Sequence, residues 1–65
     1  MHLIINGEVK ESHAATIQDL INELGIESKV MAAAVNMNVI KKEQWETHLL
    51  CENDRVEFLQ FVGGG

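Results

Sequence analysis

HLIINGEVKESHAATIQDLINELG, residues 2–25, sets two different apolar periods side by side. Leu3, Ile4 and Ile5 form a short apolar, mostly β-branched run, Asn6-Gly7 follows, and Glu8-Val9-Lys10-Glu11 then alternates polar with apolar. Asn and Gly both tolerate positive φ, so Asn-Gly between two such runs is the strongest short-range hairpin signal. A hairpin is expected over residues 2–12. The period then changes. Ile17, Leu20, Ile21 and Leu24 fall at i, i+3, i+4 and i+7, which puts them on one face of a helix. Thr16 can cap its N-terminus, Asp19 three residues later makes a weaker form of the capping box, and Gly25 stands where a left-handed C-cap is wanted. A hairpin followed at once by a helix is the opening of an α+β domain.

Downstream, residues 30–35 read VMAAAV, a continuous apolar run. Its length and β-branched ends favour a buried strand, although three alanines suit a helix equally well. Asn36-Met37-Asn38 has turn chemistry, because Asn accepts left-handed geometry. Val39-Ile40 is a brief strand. In KEQWETHLL, residues 42–50, Trp45, His48 and Leu49 share helical spacing, so a turn or two of helix is expected to pin Trp45 on the core. Asn53-Asp54 turns the chain into a last strand over residues 55–62. Alternation sends Val56, Phe58, Gln60 and Val62 to one face, and Glu57, Leu59 and Phe61 to the other. Large apolar groups on both faces need two covers, and one helix supplies only one. Leu59 and Phe61 therefore stand as core, as a homodimer contact, or as a partner-docking patch.

The order strand, strand, helix, strand, short strand, strand describes a mixed sheet of four to five strands with one main helix packed on one face. A last strand lying centrally beside the first would aim its end out of the domain. Residues 1–62 are expected as the folded domain, and 63–65 as a flexible C-terminal glycine tail, since glycine loses the most freedom on ordering.

The 65 residues allow one domain, of a size that buries roughly 60% of its unfolded surface. Apolar residues make up 46% of the chain, enough for one small core. No stretch is long enough to span a bilayer, and the opening lacks the basic region and apolar run of a signal peptide. A single cysteine, Cys51, permits no internal disulfide, so a soluble cytoplasmic protein is expected. Ten acidic residues against five basic give a net charge of −5. That argues against nucleic acid and for a partner with a basic surface.

Catalytic or metal chemistry of its own is not legible. His2, His13 and His48 have no metal-ligand spacing, and His48 with Cys51 lacks further ligands. Glu8, Glu11, Glu43 and Glu46 look like solvated faces rather than a catalytic pair. No glycine loop for phosphate is present. Cys51 reads as a small packed hydrophobe, as lone cysteines often are.

The "NG" hairpin, the "TIQDLI" helix start, "AVNMNVIKKEQW" and the ending "ENDRVEFLQFVGGG" together resemble the β-grasp (ubiquitin-like) sulfur carrier family. Within it they come nearest the carriers of thiamine biosynthesis, which deliver sulfur for the thiazole ring. The resemblance covers the whole chain. It implies a β-grasp fold and a carrier rather than an enzyme. It further implies that the Gly65 carboxylate is adenylated and converted to a thiocarboxylate. Gly63 and Gly64 would then be the slim segment entering partner active sites, with Leu59, Phe61 and Val62 docking those partners. No cofactor is bound under this reading, and ATP is used by the partner adenylyltransferase. The other implied partners are a thiazole synthase and a sulfur donor system such as a cysteine desulfurase. Three glycines end this chain where the family's essential motif is the last two, Gly64-Gly65, and the added Gly63 lengthens the segment. Rival readings are the small subunit of molybdopterin synthase, a ubiquitin-like modifier, and a non-covalent interaction module with an idle tail.

Overall fold

Two Asn-led turns bend the chain at its two hairpins. Asn6 and Gly7 sit at φ 48° and 86°, and Asn36 and Met37 at φ 50° and 72°. Both central residues of each turn are left-handed, the geometry whose twist matches that of antiparallel strands. A computed structural model describes residues 1–61. The expected boundary after residue 62, and with it Val62, Gly63, Gly64 and Gly65, lies outside the described residues.

The strands are β1 (His2–Ile5), β2 (Glu8–Glu11), β3 (Val30–Val35), β4 (Asn38–Ile40) and β5 (Arg55–Gln60), and the helix α1 spans Ile17–Leu24. They form one five-stranded sheet in the order β2-β1-β5-β3-β4. β5 lies in the middle, parallel to β1 and antiparallel to β3. The hairpin, the central last strand and the β3 strand all form where the sequence points, except that β5 stops at Gln60 and leaves Phe61 just past the strand. The three alanines adopt the strand because β5 pairs with all three and β4 with Ala33 and Ala34.

α1 is closed at both ends. Thr16 Oγ1 accepts from the Asp19 amide, the Asp19 carboxylate accepts from the Thr16 amide, and Gly25 closes the C-terminus at φ 69°. The capping box is complete with Asp in place of the commoner Glu. The buried face carries Ile17, Leu20 and Ile21. It packs on Leu3 and Ile5 of β1, Ala33 and Val35 of β3, and Val56 and Phe58 of β5. Fully burying each large aliphatic side chain contributes about 1.5–3 kcal/mol.

The connection between β4 and β5 differs from its expected form. Only a 3-10 turn forms, Lys42–Gln44, and it stops before His48 and Leu49. Trp45 is buried all the same, its indole N–H donating to the Ile40 carbonyl at 2.9 Å and its own carbonyl accepting from the Gln18 amide at 2.9 Å. These two bonds, the second of them to α1, hold it in place, so no longer helix is needed. Leu49 is exposed, and Leu50 enters the core instead. The reason is an extended pairing, since Leu49 bridges Thr16 and the Leu50 amide donates to the Ala15 carbonyl. Extended backbone turns neighbouring side chains in opposite directions.

Cys51 is a second correction. It is exposed rather than packed. It opens a tight turn in which its amide donates to Asp54 Oδ2 at 2.8 Å, with Asn53 at φ 68°. The neighbouring core position is taken by Leu50.

Candidate functional site

β5 carries the site. Its inward residues Val56 and Phe58 are buried, and its outward residues Arg55, Glu57 and Leu59 are exposed. Leu59 is 62% exposed and Phe61, just past the strand, 64%. Neither belongs to the core, because α1 covers the other face of the sheet. Of the predicted site residues, these two are therefore brought to one open surface at the end of β5. Val62, Gly63, Gly64 and Gly65 come directly after them in sequence but lie outside the described residues.

On this open face runs a shallow trough of about 330 Å³. Its floor is Ala32 and Ala34, and its walls are Val39 of β4 and Leu59 and Glu57 of β5. The registers explain it. Ala34 lies between Val39 and Glu57, and Ala32 lies opposite Leu59. Methyl groups between larger neighbours leave a depression. The alanine run was legible as a strand, but the trough depends on cross-strand register, which no local signal carries. A mainly apolar depression with a carboxylate on one wall suits a complementary apolar side chain with a cation beside it.

The root of the terminal segment is held on the β3 side. The Phe61 amide donates to the Lys29 carbonyl at 2.7 Å, beyond the last residue of the strand. On the β1 side, the Asn6 side-chain oxygen accepts from the Phe58 amide at 2.9 Å. The sequence marks Asn6 only as a turn residue and gives no sign of this bond, whose partners are 52 residues apart.

Among the described residues no group of three His, Cys, Asp or Glu side chains is placed to hold a metal ion. Cys51 stands before the start of β5. Six strand residues at about 3.3 Å each put ~20 Å between it and the end from which the tail departs. Among the described residues, no helix is long and apolar enough to cross a membrane.

Comparison with known proteins bears on the same region. The ThiS family model matches residues 3–65, through the terminal glycines. A sulfur carrier protein ThiS of Bacillus subtilis is 38% identical over 65 residues, covering 97% of this chain and 98% of the relative. A thiazole synthase of Paramagnetospirillum magneticum is 33% identical over 66 residues. That match takes in all of this chain, which spans only 20% of the relative's length. The crystal structure of a thiamine biosynthesis protein (ThiS) from Geobacter metallireducens superposes with a TM-score of 0.80 at 28% identity, each chain fully covered.

Proposed function

The chain belongs to the ThiS family, the sulfur carriers of thiamine biosynthesis, and from that premise we propose that Gly65 is the sulfur-bearing end of the carrier. The single observation that carries this reading is a family match running to residue 65, where the sequence ends in Gly64-Gly65. As a member of that family the chain is a carrier and not an enzyme. Its chemistry is that of a chain terminus.

An α-carboxylate has a pKa of about 3.3–3.7, so near neutrality it is an anion and a poor electrophile. Adenylation by ATP turns it into a mixed anhydride and releases pyrophosphate. A sulfur nucleophile then attacks the Gly65 carbonyl carbon, a C–S bond forms, and the C–O bond to AMP breaks. With hydrosulfide as the nucleophile the product is a thiocarboxylate and AMP leaves. With a desulfurase persulfide it is an acyl disulfide, which a thiol cleaves to the thiocarboxylate while the donor sulfur passes into a new disulfide. Splitting one difficult substitution into two easier ones is the ordinary logic of covalent activation. The adenylate must be kept from water, which requires that the partner enclose it. Gly63, Gly64 and Gly65 have no side chains to obstruct a narrow channel, and together they reach about 10 Å when extended.

The partners are an ATP-using adenylyltransferase, a thiazole synthase as acceptor, and a sulfur donor system such as a cysteine desulfurase. Support for the acceptor comes from the P. magneticum relative, a thiazole synthase of which a domain like this chain makes up one fifth. Leu59, Phe61 and Val62 dock these partners, with the alanine-floored trough taking an apolar side chain. The acidic surface, net −5, favours basic partner faces. The carrier works in the cytoplasm, where its activator finds ATP. Removing Gly64 and Gly65 together tests the reading, because removal of Gly65 alone leaves Gly63-Gly64 as a terminal glycine pair. ATP–pyrophosphate exchange by the adenylyltransferase is expected with the full chain and not with the chain ending at Gly63. Undiminished exchange with the shortened chain would overturn it.

A further inference from the structure

We propose that Asn6 is a positioning residue, fixing the direction in which β5 hands the C-terminal segment to the adenylating partner. The inference rests on the carrier reading above. β1 and β5 pair over only two residues each, Ile4 with Arg55 and Ile5 with Val56. Their backbone bonds end with the Asn6 amide on the Val56 carbonyl at 3.0 Å. β1 then turns away through Asn6 and Gly7 into β2. From that point β5 runs on with its β1 side vacated.

The alternation of backbone groups decides which bonds are at stake. Arg55 and Phe61 use theirs on the β3 side, through the Asn36 amide and the Lys29 carbonyl. The even-numbered residues Phe58 and Gln60 therefore direct theirs toward the vacated side. Asn6 Oδ1 accepts from the Phe58 amide at 2.9 Å, and among the described residues it is the last hydrogen bond β5 makes on that side. A strand end bonded on one side can pivot about that side, whereas bonds on both sides fix its direction. Four residues come after Phe61, a reach of about 14 Å when extended. A tilt at the root changes the angle at which Phe61 presents the following segment to the partner, and reactions that depend on alignment are slowed by misplacement of about 1 Å.

The fold contains its own control. Asn36 holds the matching position in the other two-residue turn, at φ 50°. Its Oδ1 accepts from the Arg55 amide at 3.0 Å, the same kind of bond to the same strand at the end remote from the tail. Glycine tolerates positive φ in either turn, so both substitutions spare the turn. Asn6→Gly deletes one acceptor, and Asn36→Gly deletes one acceptor together with the side-chain amide that donates to Asp54 Oδ1 at 3.0 Å.

The test compares the wild-type chain, Asn6→Gly, Asn6→Asp and Asn36→Gly. It measures ATP–pyrophosphate exchange with the adenylyltransferase, amide hydrogen exchange and unfolding midpoint. Both glycine variants should release their own amide and lose stability. Only Asn6→Gly should lower kcat/KM, by about threefold to tenfold, the effect of one neutral hydrogen bond expressed as rate. Asn6→Asp keeps an acceptor and should restore it. Equal losses in both glycine variants would reduce Asn6 to a structural role. An unchanged kcat/KM with a freed Phe58 amide would also overturn the proposal, while leaving the carrier reading intact. Should Asn6→Gly fail to fold, Asn6→Ser, whose acceptor is shorter, replaces it in the same comparison. A wild-type chain inert toward an active adenylyltransferase would instead overturn the carrier reading, and this proposal with it.

Discussion

Met37 shows at the scale of one residue how a turn overrides preference. It holds φ 72° with its side chain exposed, a conformation that crowds Cβ against the backbone. The left-handed region costs a non-glycine residue about 1–2 kcal/mol. Glycine removes that strain but adds unfolded-state entropy of roughly 0.5–1 kcal/mol. Met37→Gly should therefore stabilise the fold by about 0.5–1 kcal/mol, read as a rise in the urea midpoint without change of slope. A drop would mean that the Met37 side chain makes contacts outweighing the strain. Asn6 and Asn36 were legible as turn residues for the same conformational reason. Their bonds to β5 were not, because each depends on which strand the fold lays alongside the turn. Cys51 failed differently. Its general tendency to be buried gave way to a local turn closed by Asp54.

Among the elements, α1 was fully legible, since its caps and its face are local properties. Thr16→Ala removes the cap acceptor and should cost about 1 kcal/mol, measured by chemical unfolding. An effect near zero would mean that Asp19 sustains the helix start alone. β5 was legible in its alternation and in its central place beside β1, but not in its register with β3. The strip of Leu59, Glu57 and Arg55 faces away from the helix, so charge there should leave the core untouched. Leu59→Asp is expected to shift stability by no more than about 0.5 kcal/mol, the usual range for surface sites. It should weaken adenylyltransferase binding by at least about tenfold, as loss of an apolar anchor does. Equal losses of both would make Leu59 part of the folding unit. The segment joining β4 to β5 was the least legible element. Helical spacing of Trp45, His48 and Leu49 competed with backbone contacts to α1 and the residues just before it, and the contacts won.

Over the whole molecule, the charge balance shapes the pH response. Glu11 is held below the usual carboxylate range, chiefly by its hydrogen bond to the Met1 amino group and then by that group's charge. A carboxyl lowered in the fold is more acidic there than when unfolded. Its contribution is present above the unfolded pKa and is lost as pH falls through the lowered folded value. Stability should therefore decline through the carboxylate range, and Glu11→Gln should flatten that decline. A decline as steep in the variant would assign it to other carboxylates. The core was foreseeable in outline, and Trp45 and Phe58 occupy it as their types suggest. The open face comes from having one helix for a five-stranded sheet. On the proposed reading, the exposed Leu59 and the alanine-floored trough beside it are the surface to be recognised, and the terminal glycines the end to be loaded.

Top-down mass spectrometry tests the central claim most directly. The carrier is incubated with ATP, a sulfur source and an adenylyltransferase shown to be active. The predicted result is replacement of one oxygen by sulfur, confined to the fragment that contains Gly65. Localisation is essential, because oxidation of Met1, Met31 or Met37 gives nearly the same gain in mass. A terminus that stays a plain carboxylate under those conditions would contradict the carrier chemistry and leave the trough of Ala32, Ala34 and Leu59 as the surface of a non-covalent interaction module.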